Sequence, residues 1–281
     1  MIRVNDTSIN RITRYDNHMN DSIVLDSITT HRGTTVEMTQ RPHWGMSCYM
    51  DQQIQSCERD EKIYHEALVH PSMSSVSCPK RVMIIGGGEG ATAREVLKWP
   101  AVEHVDMYEW DKDIVQLFRT RYPQWANGAW SDPRLTLHYD DIFEAIRTPP
   151  SERYDVVIID LFDPSEDTYD SWAILLRNLS NWVTPTGTVA MYAGIRTVLS
   201  EEQPHHVLTR ILMEPAENGV LQYREIIPYH LYIPSFEGDS MFLLLCQPLF
   251  FYITKTIDSH LTDSLWKSYQ VFDSQSESSR E

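Results

Sequence analysis

Between residues 82 and 192 the chain repeats one pattern, a short wholly apolar run followed by a break and then a stretch with helical spacing. Val82-Met83-Ile84-Ile85 is apolar without alternation, and residues 102–108, 135–139, 156–160 and 188–192 behave alike. Residues 91–99, 111–121 and 171–183 carry helix-type spacing between them. Strands apolar on both faces belong in a parallel sheet covered by helices on each side. Two further strands are expected around residues 223–227 and 241–246, and the short connection through Pro228 and Pro234 makes them antiparallel. Upstream, short mixed runs at 34–39 and 46–50, broken by Arg41-Pro42 and Gly45, predict a small β-rich unit. A Ser-rich connector, 71–79, joins the two, and the Ser- and Glu-rich end of the chain reads as a solvated tail. The expected organisation is a β-rich N-terminal domain over 1–66, an α/β domain over 67–258 and a tail over 259–281.

The formal net charge of −16 argues against a nucleic-acid backbone or an anionic membrane as partner and suits a cationic ligand, although many soluble proteins are acidic for solubility alone. Cys48, Cys57, Cys78 and Cys246 form no CxxC pair and no metal-ligand spacing, so free thiols in a reducing compartment and no metal site are expected. Asn5, Asp6, Asn10 and Arg11 interrupt the N-terminus, which does not read as a signal peptide. The most apolar run, 241–253, contains Gln247 and Pro248 and is too short for a bilayer. A cytoplasmic location is the expectation.

The first apolar run leads into Gly86-Gly87-Gly88-Glu89-Gly90 and then a helix. Glycines here allow a tight turn and close approach of a ligand to the backbone. The G-x-G-x-G spacing differs from the G-x-G-x-x-G of dinucleotide sites, and Glu89 would repel a pyrophosphate. The second run ends at Tyr108-Glu109-Trp110-Asp111, where Glu109, with Asp111 as second choice, is placed to accept both ribose hydroxyls of an adenosine. After the third run, Asp141 of Asp140-Asp141-Ile142 can accept from the adenine amino group. These features describe an adenosyl pocket without phosphates, with S-adenosylmethionine and its decarboxylated form as candidates.

Ile158-Ile159-Asp160-Leu161-Phe162-Asp163-Pro164 delivers two acids three residues apart to the carboxyl end of the sheet, where open α/β folds bind ligands. The bland alternative is a turn at Asp163-Pro164 and a helix cap at Asp160. The functional reading has a carboxylate holding an alkylammonium and then taking its proton as the amine attacks a methylene beside a sulfonium. No metal or covalent intermediate is needed for that displacement, and alignment supplies much of the rate. With Glu89, Glu109 and Asp141, at least five carboxylates meet at one mouth, which favours polycationic ligands.

These residues resemble the spermidine/spermine synthase family, and within it most closely the thermospermine synthases, from about Gly45 to about Pro248. Gln55-Ser56-Cys57-Glu58-Arg59-Asp60-Glu61 followed by Tyr64-His65-Glu66 resembles the family's Q-x-x-E-R-D-E-x-x-Y-H-E stretch. G-G-G-E-G with A-x-A-R-E-V-L-K resembles its nucleotide turn, Asp160 to Pro164 resembles D-L-A-D-P, and Pro234-Ser235-Phe236 resembles the enzymes of longer substrates. The fold so implied is α/β, a Rossmann-like seven-stranded sheet of the S-adenosylmethionine-methyltransferase type with a small N-terminal β domain. The activity implied is transfer of the aminopropyl group of decarboxylated S-adenosylmethionine, a co-substrate and not a true cofactor, to spermidine or putrescine. Thermospermine is the favoured product, then spermine, then spermidine. The resemblance implies that Gln55, His65, Gly86, Gly88, Glu89, Glu109, Asp141 and Asp160 hold the nucleotide, with Glu89 facing its ammonium. It makes Asp160 the base, supported by Tyr64, and has Asp163 anchor the amine or the sulfonium end. Phe236, Glu237 and Asp239 fall at the far end of the acceptor. Family members are homodimers or homotetramers through the N-terminal β domain.

Four departures concern the acceptor side more than the nucleotide. Val36-Glu37 follows His31-Arg32-Gly33-Thr34-Thr35 where a Tyr-Gln pair is usual, and Gln52-Gln53 follows Asp51 where glycine is common. Tyr192 stands where glutamine is frequent, and Ser165-Glu166-Asp167 replaces a proline-rich G-P segment. Two other readings stay open: a small-molecule methyltransferase, which Glu89 opposes, and a non-catalytic polyamine- or nucleotide-binding relative.

Overall fold

The computed structural model describes residues 22–196, 203–214, 223 and 225–246, so the tail expected over 259–281 and the first 21 residues lie outside the described residues. The chain divides into two compact units after Glu61. The first is a four-stranded antiparallel meander, β1 (Ile23–Thr29), β2 (Thr35–Arg41), β3 (Gly45–Met50) and β4 (Gln53–Cys57), paired in chain order. Val36, Met38 and Cys48 face inward from alternate positions, while Ile23, Val24 and Leu25 of the edge strand β1 are exposed.

Helix α1 (Glu61–Ser74) leads into the second unit, where β5 (Arg81–Gly86), α2 (Ala91–Leu97), β6 (His104–Tyr108), α3 (Lys112–Arg121) and β7 (Leu135–His138) follow. Then come α4 (Ile142–Ala145), β8 (Tyr154–Asp160), α5 (Tyr169–Leu179), β9 (Val183–Arg196), α6 (Pro204–Met213), β10 (Glu225–Ile233) and β11 (Gly238–Cys246). The seven-stranded sheet has the order β10-β11-β9-β8-β5-β6-β7. Strands β5 to β9 pair in parallel, and β11 is antiparallel to both β9 and β10. This is the expected Rossmann-like arrangement of the methyltransferase type.

The apolar runs work as two-sided strands. From β5 and β8, Val82, Ile84, Val156 and Ile158 join Ala67, Leu68 and Met73 of α1 and Val96 of α2 in one core. Met83, Ile85, Val157 and Ile159 turn the other way and pack with Trp172, Leu175 and Leu176 of α5 and Leu208 and Ile211 of α6. Each such side chain removed from water contributes about 1.5–3 kcal/mol, so the sheet is held from both faces. Among the described residues no helix is long and apolar enough to cross a membrane.

Three expectations about the elements change. The connector expected at 71–79 begins inside α1, which was not foreseen as a helix and carries Pro71 in its interior. A proline there cannot donate to the carbonyl four residues back. The Ala67 carbonyl instead accepts from the Tyr229 hydroxyl of β10 at 2.9 Å, so the missing helix bond is replaced from across the core. The helix expected over 171–183 ends at Leu179, and Val183 already belongs to β9, which is 14 residues long. Pro228 lies within β10, the sheet's edge strand, where a missing donor is tolerated, and the connection to β11 is the single 3₁₀ turn Pro234–Phe236.

Tyr229→Phe removes the hydroxyl that donates to Ala67 and leaves a buried carbonyl wanting that partner. A loss of about 1–3 kcal/mol in unfolding free energy is expected in urea titration. An unchanged midpoint would mean that the Tyr229 bond does not offset Pro71.

Candidate active site at the carboxyl ends of the parallel strands

Strand β5 ends at Gly86, which lies in register with Asp160, the last residue of β8. Gly86 has φ +83°, and a Cβ there would stand 2.1 Å from the Asp160 carbonyl oxygen, so no other residue fits. A Cβ on Gly88 would meet Ile114 at 2.9 Å and Glu109 Oε2 at 3.0 Å. The glycines therefore bring the loop against two of the expected acids.

Asp160 is not a helix cap. Its Oδ1 accepts from the Tyr64 hydroxyl at 2.8 Å and its Oδ2 from the Thr92 hydroxyl at 2.7 Å. His65 Nε2 is 3.9 Å from Asp160 Oδ2 and 2.7 Å from Glu89 Oε1. Tyr64, His65, Glu89, Thr92 and Asp160 thus form one connected cluster on α1, the glycine loop, α2 and β8. Thr92 was not foreseen; nothing in its spacing signals the role, which depends on β5 and β8 being neighbours.

Asp163 is exposed as a residue, yet its carboxylate is turned onto the buried Tyr192 hydroxyl, which donates to it. Burial of the carboxyl pushes Asp163 above the usual carboxylate range, against the lowering effect of that bond. Burial and the neighbouring Asp163 carboxylate hold the Tyr192 phenol well above its ordinary value, so it stays a donor. The Tyr64 ring lies 5.6 Å from each of Tyr192, Phe236 and Phe242 in edge or tilted contact. These rings give Asp160 an apolar wall. Tyr192, noted only as a departure from the family pattern, is therefore part of the site.

On the other side, Glu109 follows β6 and is nearly fully buried. Its Oε1 accepts from the Asp111 backbone N–H at 2.9 Å. Burial, with the Asp111 and Asp160 carboxylates nearby, pushes it up to about 7. Asp111, the second choice for a ribose, is the N-cap of α3, accepting from Asp113 N at 3.0 Å. Asp141 likewise caps the short helix α4, accepting from Phe143 N at 2.9 Å.

Asp239 pairs with Arg196 at the end of β9, which brings the β10–β11 hairpin, with Phe236, Glu237 and Asp239, to the same end of the sheet. Glu237 sits in the left-handed region at φ 55° as the turn's last residue, and Asp239 Oδ1 is 3.8 Å from His230 Nδ1. Gln55 belongs to the other unit, exposed on β4, with its Nε2 on the Gln53 carbonyl at 3.4 Å.

The spermine/spermidine synthase domain model matches residues 61–255. Polyamine aminopropyltransferase 2 of Pseudomonas aeruginosa is 38% identical over 199 residues, covering 69% of this chain and 54% of that protein. Polyamine aminopropyltransferase 1 of Hyperthermus butylicus is 37% identical over 202 residues, covering 69% and 67%. A Prochlorococcus marinus polyamine aminopropyltransferase is 42% identical over 123 residues, 44% of each chain, so the match spans about half the length of several such relatives. Among solved structures, a spermidine synthase from Thermotoga maritima superposes with a TM-score of 0.73 at 20% identity over 88% of this chain and 83% of that one. A spermidine synthase in complex with the transition-state analogue AdoDATO gives 0.74 at 21%, over 88% and 84%. At that identity the two structures speak for the fold.

The raised Glu109 carries a prediction for the unliganded protein. The folded state keeps this proton up to about pH 7, whereas the unfolded chain releases it near 4.5, so rising pH removes stability. Across that interval the loss from this group reaches at most about 3 kcal/mol. Urea unfolding at pH 5 and pH 8 should show a smaller loss in Glu109→Gln than in the parent; parallel losses would mean that Glu109 titrates normally.

Proposed function

The chain belongs to the spermine/spermidine synthase family, and from that premise we propose that it is an aminopropyltransferase using decarboxylated S-adenosylmethionine and a polyamine. The observation that carries the reading is Asp160, a carboxylate at the carboxyl end of β8 gripped by Tyr64 and Thr92 beside the glycine loop. In the proposed reaction the amine nitrogen attacks the methylene next to the sulfonium. A C–N bond forms, the C–S bond breaks, and 5′-methylthioadenosine leaves as a neutral thioether. The amine, with an ordinary pKa of about 10, arrives protonated. Asp160 holds the ammonium, takes its proton, and is kept oriented by the two hydroxyl donors. Fixed alignment of the two reactants contributes the larger share of the rate.

The other roles follow from place and charge. Glu89, beside His65, faces the aminopropyl ammonium. Glu109 accepts the ribose hydroxyls, and a bound diol donating to it favours the ionised form. Asp141 receives the adenine amino group, and Gly86 and Gly88 let the nucleoside lie against the backbone. Asp163 on Tyr192 anchors the acceptor, with Phe236 along its alkyl segment and Glu237 or Asp239 at its far ammonium. Gln55 is assigned to the nucleotide on the resemblance of its motif alone.

Spermidine as acceptor and thermospermine as product are favoured, on Glu89 in the loop, the D-L-F-D-P turn and Phe236; spermine and then spermidine synthesis follow. The exposed apolar edge strand β1 supports assembly as a homodimer or homotetramer through the N-terminal β domain. The four cysteines stand as free thiols, which suits the cytoplasm.

A product assay with decarboxylated S-adenosylmethionine, offering putrescine and spermidine separately, is expected to release methylthioadenosine with spermidine, and chromatography to identify thermospermine. No release with any amine from folded, nucleotide-binding protein would leave a non-catalytic relative in its place. Asp160→Asn is expected to lower kcat by about 10²–10⁴-fold with methylthioadenosine binding retained; an unchanged rate would remove Asp160 as the base. Glu89→Gln should weaken binding of the decarboxylated nucleotide more than that of methylthioadenosine, and equal losses would contradict its ammonium role.

A further inference from the structure

Behind the site, α1 and α2 are joined by a buried ionic network that the reaction does not use. Glu66 and His70 on α1 and Glu95 on α2 are fully buried. Trp99, just beyond α2, donates its Nε1–H to His70 Nδ1 at 3.3 Å. An indole nitrogen can only donate, so Nδ1 is the acceptor and Nε2 carries the ring proton. That Nε2 faces Glu95 Oε2 at 3.1 Å. Lys98 Nζ meets the same oxygen at 2.6 Å and stands 3.9 Å from Glu66 Oε1, while Arg94 Nε holds Glu95 Oε1 at 2.8 Å. Burial alone would push Glu95 up, but His70, Arg94 and Lys98 together hold it well below the usual carboxylate range.

Ligand-type atoms of Glu66, His70 and Glu95 lie within 4.8 Å of one another, which invites a metal reading. The charges argue otherwise. Two carboxylates are already met by the Lys98 ammonium and the Arg94 guanidinium, and a divalent ion would have to displace Lys98 from 2.6 Å. The cluster is already an ion network in which cations occupy the carboxylates.

Its placement gives it a purpose. Tyr64 and His65 immediately precede Glu66 on α1, and Thr92 lies one turn before Glu95 on α2. The same two helices therefore meet twice, once at the network and once at Asp160, where Tyr64 and Thr92 each donate to one carboxylate oxygen. A slide of α1 along α2 would pull at least one donor away. A buried ion network is a poor way to gain stability, because desolvation offsets most of the attraction. It is a good way to fix one register, because a slide would break the Trp99–His70 hydrogen bond and separate His70 from Glu95 in a dry interior.

We propose that His70 and Glu95 are positioning residues whose buried network keys α1 to α2, so that Tyr64 and Thr92 converge on Asp160. As a statement about turnover this rests on the aminopropyl-transfer reading; as a statement about the two helices it stands apart from it.

The test uses the full-length protein with His70→Leu, His70→Gln and Trp99→Phe. The leucine variant loses the ring's contacts with Trp99 and Glu95, and its kcat should fall about tenfold or more while KM for spermidine and the Kd of methylthioadenosine change less than about threefold. The glutamine variant keeps a donor towards Glu95 and should recover to within about threefold of the parent. Trp99→Phe, which removes the N–H together with part of a buried ring, is the second variant should the leucine one not fold, and it should fall between them. Amide hydrogen exchange provides a readout independent of activity: protection should drop in α1 around residues 62–70 and stay unchanged in β5 and β8. A folded His70→Leu, or failing that Trp99→Phe, with parental kcat and parental α1 exchange would overturn the proposal. So would a loss of kcat matched by KM and by exchange throughout the sheet, which is general destabilisation. If the parent itself transfers no aminopropyl group, the reaction reading fails and the exchange result alone decides the coupling of the helices.

Discussion

Two hydroxyl groups on two different helices, Tyr64 on α1 and Thr92 on α2, close on the carboxylate of Asp160, and much of the second unit serves that meeting. The carboxylate has its place because β8 runs through the middle of the sheet, apolar on both faces, and ends there. Gly86 must be glycine because β5 turns away where the Asp160 backbone passes, leaving no room for a Cβ. α1 can lie against the sheet with Pro71 in its interior because Tyr229 takes over the orphaned carbonyl of Ala67. Each feature contributes modest free energy, but together they fix one carboxylate to within hydrogen-bond tolerance, which alignment-driven chemistry requires.

Charge is the second constraint. Glu89, Glu109, Asp160 and Asp163 gather at one mouth, and the protein handles each differently. Glu89 is met by His65, Asp160 by two hydroxyls, and Asp163 by the Tyr192 phenol. Glu109, buried with carboxylates for neighbours, is pushed up to about 7 and is the group least settled without a ligand. A site arranged so gains most from a ligand carrying positive charge and hydroxyl donors together. The same electrostatics that make the unliganded site uncomfortable therefore select what enters it.

How far the sequence foretold this follows from which signals are local. The strands of the parallel sheet were legible because burial on both faces leaves continuous apolar runs, and the glycine loop because its backbone demands are carried by residue type alone. Glu109 and Asp160 were legible because they terminate such runs. α1 was not, since a helix buried on nearly every side has no polar face to create a period, and Glu66, His70 and Pro71 masked what remained. Thr92 and Tyr192 were missed as partners of Asp160 and Asp163 because those contacts arise only from the order of strands in the sheet. Asp111 and Asp141 also stand after strand ends and cap α3 and α4, a second use of such acids that the strand pattern does not signal.

The buried network between α1 and α2 fits the same logic. Apolar contact through residues such as Ala67, Leu68, Ala93 and Val96 is non-directional and sets no register by itself. His70 can satisfy Trp99 and Glu95 at once in a single arrangement, and the Lys98 ammonium, paired with Glu95 of its own helix, stands near Glu66 of α1. Apolar packing brings the helices together, and the polar bonds choose the register. Because the network and the two hydroxyls that hold Asp160 lie on the same pair of helices, the choice made in the dry interior is transmitted to the carboxylate through two short elements.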